Sequence, residues 1–281
     1  MRLDALLARA AMRLAGSGSP SPRLDAEVLL CHVLDVDRTW LYTWSDHQVD
    51  TFRRARFEAL VAARAVGHPV AYLTGQREFW GLALATSPHT LIPRPDTETL
   101  VEVLLELAGA VPGRLLDLGT GTGAVALAFA SERPDWEVLG VDRVPEATAL
   151  AESNARRLGM ANARFLRSDW FSALGRERFT LIASNPPYIE PGDPHLMQGD
   201  VRFEPTSALV SAEKGLADLR HLARGGMVHL EPGGWLVMEH GHDQAEAVRQ
   251  LLEECGYVEV GGRCDLGGRG RVTFGRWCCQ R

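Results

Sequence analysis

The sequence predicts an α/β fold: a mostly parallel sheet with one antiparallel closing strand, carrying a small helical domain at its N-terminal side. Three observations predict it. From Arg114 onward, short apolar runs alternate with helix-period segments, the pattern of a parallel sheet covered on both faces. The last two apolar runs, residues 257–260 and 271–274, follow one another with no helix between them, which turns one strand antiparallel. Before residue 75 the periodicity is helical throughout.

The elements follow in order. Leu3, Leu6, Leu7, Ala10 and Leu14 recur at helical spacing, and Gly16-Ser17-Gly18-Ser19-Pro20 breaks that helix. Ser21 is expected to cap a second helix with Pro22 at its first position and an apolar run over residues 24–34. Residues 50–65 predict a third, with its arginines on the outer side, stopped by Gly67-His68-Pro69. Residues 76–92 alternate apolar and turn residues around Gly81, as in a short hairpin that links two domains. The boundaries expected are 1–75 for the helical domain, 76–95 for the hairpin linker and 96–281 for the sheet domain. In the last, after a helix over 97–108, strands are expected at 115–118, 137–141, 163–166, 179–184 and 234–239, with helices at 124–130, 146–158 and 243–255.

Composition narrows the function classes. The chain of 281 residues has a formal net charge of -6, and Lys214 is its only lysine. That balance gives no support for a dedicated nucleic-acid surface, and no stable nucleic-acid binding is expected. No run of about 18 apolar residues exists, so no membrane span is expected. The five cysteines, Cys31, Cys255, Cys264, Cys278 and Cys279, form neither a disulfide framework nor a zinc pattern, and no metal is expected. Glu239-His240-Gly241-His242 lacks a third ligand at metal spacing and reads as a solvated loop. The chain is expected to be a cytoplasmic monomer.

Two motifs carry chemistry. Asp117-Leu118-Gly119-Thr120-Gly121-Thr122-Gly123 ends the first strand of the sheet and opens a helix. Glycines there let the backbone turn tightly and approach a ligand beyond the strand ends. Asp142, at the end of the next strand, can accept two hydrogen bonds from a ribose diol. The loop also satisfies the loose dinucleotide fingerprint. Asp117 and the G-x-G-x-G spacing lean toward S-adenosylmethionine over a nicotinamide cofactor.

The second motif, Asn185-Pro186-Pro187-Tyr188, follows the fourth strand. Two prolines remove two N–H donors, so the loop offers carbonyls and the Asn185 side-chain oxygen. Such acceptors grip the two hydrogens of an NH2 group, and Tyr188 offers a flat face for a planar amide or base. An amide nitrogen is a poor nucleophile, so orienting it in line with a sulfonium methyl is the main lever. The acceptors also stabilise the positive charge that develops on nitrogen. Asn185, Pro186 and Tyr188 are thus the candidate catalytic residues. A DNA or RNA amino-methyltransferase suits the same tetrapeptide and stays open as the alternative, as do a nicotinamide oxidoreductase and a non-catalytic docking module.

The sequence resembles the peptide chain release factor N5-glutamine methyltransferases, the PrmC/HemK group, over nearly its whole length. Residues 21–34 (SPRLDAEVLLCHVL) resemble that family's helical domain, and 75–81 (GQREFWG) with 91–98 (LIPRPDTE) its linker. Residues 117–123 (DLGTGTG), 168–171 (SDWF), 184–189 (SNPPYI) and 201–205 (VRFEP) resemble its catalytic core, and 265–276 (DLGGRGRVTFGR) its closing hairpin. The resemblance implies a Rossmann-like class I methyltransferase sheet. It implies that Gly119, Thr120, Gly121, Thr122, Gly123, Asp142, Trp170 and Asn185 hold S-adenosylmethionine. It further implies that Asn185, Pro186, Pro187 and Tyr188 hold the glutamine of a Gly-Gly-Gln loop in translation release factors, with the helical domain gripping that partner. Phe79, Trp80 and Arg94 are lesser candidates for the cleft. The tail from Trp277 to Arg281 lies beyond the resemblance.

Overall fold

A computed structural model describes residues 1–278; Cys279 and the two residues after it lie outside the described residues. The chain divides into two compact units, Met1–Gln76 with His195–Phe203, and Arg77–Pro194 with Glu204–Arg281.

The first unit is helical. Its helices are α1 (Leu3–Gly16), α2 (Pro22–Leu34), α3 (Arg38–Thr43), α4 (Thr51–Ala65) and α5 (Val70–Thr74). The periodic leucines of α1 meet Leu29, Leu30 and Val33 of α2 and Phe57 and Val61 of α4 in one core. Ser21 does occupy the N-cap of α2, but its hydroxyl donates to Asp25 Oδ1 at 2.9 Å instead of capping the backbone. Asp50 caps α4, accepting from the Arg53 N–H at 2.9 Å. Arg64 is an exception to the outward arginines: it is buried, with ion pairs to Asp25 (2.7 Å) and Asp200 (2.6 Å). A guanidinium cannot shed its proton, so burial requires such partners.

Next along the chain come the hairpin β1 (Gln76–Phe79) and β2 (Leu82–Ala85), with the second unit beginning at Arg77, and then α6 (Glu98–Leu107). Then come β3 (Arg114–Leu118), α7 (Ala124–Glu132), β4 (Glu137–Asp142), α8 (Pro145–Leu158), β5 (Ala163–Arg167) and β6 (Phe179–Ser184). After a stretch of short turns follow α9 (Ala212–Gly215), α10 (Ala217–His229), β7 (Leu230–Glu239), α11 (Ala245–Glu254), β8 (Val258–Cys264) and β9 (Gly270–Arg276). The seven-stranded sheet has the order β5-β4-β3-β6-β7-β9-β8. Strand β9 runs antiparallel to both its neighbours, and the other pairings are parallel. The expected α/β sheet with one antiparallel closing strand is the observed one.

Both faces of the sheet are buried. Leu115, Leu181, Ala183 and Val237 meet α6 and α7 on one side. Leu116, Leu118, Ile182, Leu236 and Met238 meet α10 and α11 on the other. The period-2 alternation divides each strand between two cores, which is why these strands read as unbroken apolar runs. The chain order reverses between β3 and β6, and a parallel sheet opens a crevice beyond the strand ends at such a point. The two motifs follow those two strands.

Candidate active site

The glycine turn is built for close approach. Gly119, Gly121 and Gly123 have φ of 73°, 55° and 83°. At Gly123 space is also short: a Cβ there would stand 3.1–3.3 Å from Leu127, Ala151 and Phe165. The turn is clamped from beneath. Asn154 of α8, 1 % exposed, donates from Nδ2 to the Thr122 carbonyl (2.9 Å) and the Ala85 carbonyl (3.1 Å). Asp117 accepts from the Thr120 hydroxyl at 2.6 Å and from the Ala126 N–H. Burial pushes its carboxyl up to about 6. Asp117 therefore holds the turn from within.

Asp142 faces the turn from the end of β4. Its Oδ2 accepts from the Gly121 N–H (3.0 Å) and its Oδ1 from the Val144 N–H (2.9 Å). Burial raises its pKa against the pull of these bonds. Each oxygen keeps acceptor capacity for a diol.

Trp170 closes the opposite wall. Its backbone is left-handed, φ 48°, a region that bulky residues rarely enter. Ser168 enforces it: its hydroxyl donates to the Trp170 carbonyl at 2.7 Å and accepts from the Ala173 N–H at 3.0 Å. A Cβ on Gly119 would sit 3.4 Å from the Trp170 ring and fill the gap between turn and wall.

Asn185 and Pro187 form the floor. The Asn185 Nδ2 donates to the Thr97 hydroxyl oxygen at 3.2 Å, leaving Oδ1 as the acceptor for a ligand. Ser184 ties the two strand ends together by donating to the Leu118 carbonyl at 2.7 Å. The cleft opens to solvent and is lined by Gly119, Thr120, Gly121, Thr122, Asp142, Trp170, Asn185 and Pro187.

The remaining predicted residues lie around this cleft. Gly123 and Pro186 are buried beside it. Tyr188 packs against the second core of the sheet domain, and its hydroxyl donates to Glu239 Oε1 at 3.3 Å. Its carbonyl already accepts from Gln244 Nε2 at 3.1 Å. Phe79 is core, and Trp80 packs on that core with its indole N–H on Glu132 at 2.9 Å. Arg94 lines the cleft and is paired with Glu204. The expected solvated loop at Glu239 is corrected: Glu239 and His240 are 2 % and 0 % exposed, and His240 Nε2 bonds the Thr273 hydroxyl at 2.8 Å. The individual roles of Asn154, Ser168 and Thr97 escaped the sequence reading, although the last two lie in segments that it quoted. Each acts through the backbone or through another polar side chain, and no local pattern announces that.

The residues fit the methyl donor. The bare glycine turn admits close backbone approach, Asp142 offers diol acceptors, Trp170 offers a ring face, and Asn185 retains a carbonyl oxygen. Among the described residues no group of His, Cys, Asp and Glu is arranged to hold a metal, and no helix is long and apolar enough to cross a membrane.

Comparison with known proteins places the chain in a family. Residues 5–75 match the PrmC N-terminal domain and residues 95–200 the Methyltransferase small domain. The Release factor glutamine methyltransferase of Vibrio cholerae is 53% identical over 280 residues, covering 99% of this chain and 98% of that protein. The protein of the same name from Escherichia coli is 52% identical over 259 residues, covering 92% and 94%. Among solved structures, a methyltransferase from Pyrococcus furiosus superposes with a TM-score of 0.54 at 18% identity, covering 82% of this chain and all (100%) of that one. A T. thermophilus 16S rRNA N2 G1207 methyltransferase, in complex with AdoMet and guanosine, gives 0.51 at 22% identity, covering 72% and 49%. At these identities the two structures speak for the fold alone.

Proposed function

From the premise that the chain belongs to the release factor glutamine methyltransferases, we propose that it transfers a methyl group from S-adenosylmethionine to the side-chain amide nitrogen of the glutamine in the Gly-Gly-Gln loop of translation release factors. The observation that carries the chemistry is the Asn185 amide, whose nitrogen is committed to Thr97 and whose oxygen is thereby offered to the cleft.

Bound S-adenosylmethionine supplies an electrophilic methyl on a positively charged sulfur. Gly119, Gly121, Asp142 and Trp170 would hold that molecule. Asn185 Oδ1 and the carbonyls of a proline pair without N–H groups accept the hydrogens of the glutamine NH2. This fixes the nitrogen lone pair toward the methyl, the near-attack arrangement that carries most of such an acceleration. As nitrogen becomes cationic, the same acceptors strengthen their hold. The methylated nitrogen is strongly acidic before it loses a proton, so no side-chain base is needed. Residues 1–75 are assigned the recognition of the release factor.

The test is methyl transfer from labelled S-adenosylmethionine to purified release factor, beside a copy whose loop glutamine is alanine. Label on the first and not the second is expected. Label on neither, with label on RNA or DNA offered in parallel, would move the substrate to a nucleobase.

A further inference from the structure

The tetrapeptide is joined at its far end to a second segment of the chain, residues 206–215. Just past Tyr188, Ile189 and Val210 form a parallel bridge. The Ile189 N–H donates to the Leu209 carbonyl and the Ser211 N–H to the Ile189 carbonyl, both at 2.9 Å. Ser207, Ala208 and Val210 of that segment line the same cleft as Asn185 and Pro187.

The segment ends in a left-handed turn. Glu213, Lys214 and Gly215 have φ of 55°, 57° and 81°. Residues with side chains enter that region singly, and a run of them persists only where surrounding contacts over-determine it. Here the turn closes on the tetrapeptide. A Cβ on Gly215 would stand 2.0 Å from the Tyr188 carbonyl oxygen and 2.6 Å from Gln244 Nε2, an approach that only glycine allows.

Gln244, half-buried at the N-cap of α11, holds the two segments together. Its Nε2 donates to the Tyr188 carbonyl and to the Lys214 carbonyl, each at 3.1 Å. Its Oε1 accepts from the Gly241 N–H at 2.9 Å. Two carbonyl oxygens converging on one point repel each other, and an NH2 group with two hydrogens satisfies both. The Gly241 N–H needs an acceptor, which settles which end of the amide faces the carbonyls.

We propose that Gln244 is a positioning residue for the methyl transfer: it joins the tetrapeptide and the segment 206–215 into one wall, and so fixes where Asn185 and Pro187 stand in the cleft. The inference rests on the reading of the tetrapeptide as the holder of the substrate amide given above. Gln244 is not among the residues that line the cleft. Near-attack geometry is lost over small displacements, so slack at Tyr188 should be felt in the rate. The cofactor end should not feel it. The turn after β3, Asp142 and Trp170 are held by bonds with Asn154, Asp117, Gly121, Val144 and Ser168, none of which Gln244 shares.

Two substitutions test this. Gln244→Met keeps an unbranched side chain of similar length and removes both donors. Gln244→Glu keeps the shape and turns oxygen toward both carbonyls. The readout is kcat on release factor per cofactor site, with site number and Kd taken from calorimetric titration with S-adenosylhomocysteine. We expect kcat per site to fall about tenfold or more in Gln244→Met, the scale of a lost hydrogen bond, and further in Gln244→Glu. Site number should be full and the Kd within about twofold of wild type. A residue that served the fold alone would lower the number of sites and leave kcat per site unchanged. Wild-type kcat per site in either variant would overturn the proposal, as would loss of S-adenosylhomocysteine binding in both. Asn185→Ala measured alongside separates this inference from the reading beneath it. Inactive Asn185→Ala beside Gln244 variants of wild-type rate would leave the tetrapeptide reading standing, and Asn185→Ala at wild-type rate would overturn both.

Discussion

The turn after β3 and the tetrapeptide after β6 stand at the ends of adjacent parallel strands, yet they are built in opposite ways. The first is glycines, with backbone N–H groups, a diol-seeking carboxylate at its side and supports from Asn154 and Asp117. The second is prolines, with its donors removed or committed and its acceptors outward. One end of the cleft is made to be approached closely and the other to orient a poor nucleophile. On the function proposed above, affinity and rate reside in separate loops, and substitutions should separate them.

Asn185→Ala should show this most strongly: kcat lower by about a hundredfold or more, the scale of losing an oriented polar group at the reacting centre. The fold should be kept, and kinetics beside calorimetry would check it. Asp142→Ala should do the converse. S-adenosylmethionine binding should weaken about 10- to 100-fold through lost charge-assisted hydrogen bonds, measurable by titration calorimetry. A pure kcat defect in Asp142→Ala would erase the contrast. Gly123→Ala should cost about 1–3 kcal/mol of stability through positive φ and crowding, read from denaturant midpoints with and without cofactor.

The smallest effect is in the pH dependence of stability. Burial holds the folded Glu239 carboxyl at about 7, above the ordinary glutamate value of 4.5. The native state therefore binds the extra proton, and the stability it contributes is present below the unfolded pKa and lost as pH rises through about 7. Glu239→Gln cannot lose it, so its melting temperature should gain on wild type between pH 4.5 and about 7. A constant difference would place the carboxylate in an ordinary solvated setting.

Much of this was legible in the sequence because it is local. Apolar alternation sets the strands of the sheet, and the two motifs mark the strand ends. The helix Ala217–His229 escaped notice because Gly225 and Gly226 in its interior weaken the helical signal. Packing asks for them: a Cβ on Gly225 would stand 2.2 Å from the Phe171 ring, and one on Gly226 2.6 Å from the Tyr257 hydroxyl. The short helices Arg38–Thr43 and Val70–Thr74 carry too few turns to show a period. Arg64 and Glu239 read as solvent-facing because a charged residue usually is. Their partners Asp25, Asp200 and Tyr188 are distant in sequence and near only after folding.

The central claim, that this cleft recognises the two hydrogens of an amide NH2, is tested most directly by the substrate's own atoms. The measurement is the affinity of the protein, saturated with S-adenosylhomocysteine, for release factor carrying glutamine or glutamate at the loop position. The two side chains share shape, and glutamate turns an acceptor oxygen toward an acceptor site. Glutamine should bind about tenfold tighter or more. Equal affinity would contradict the account.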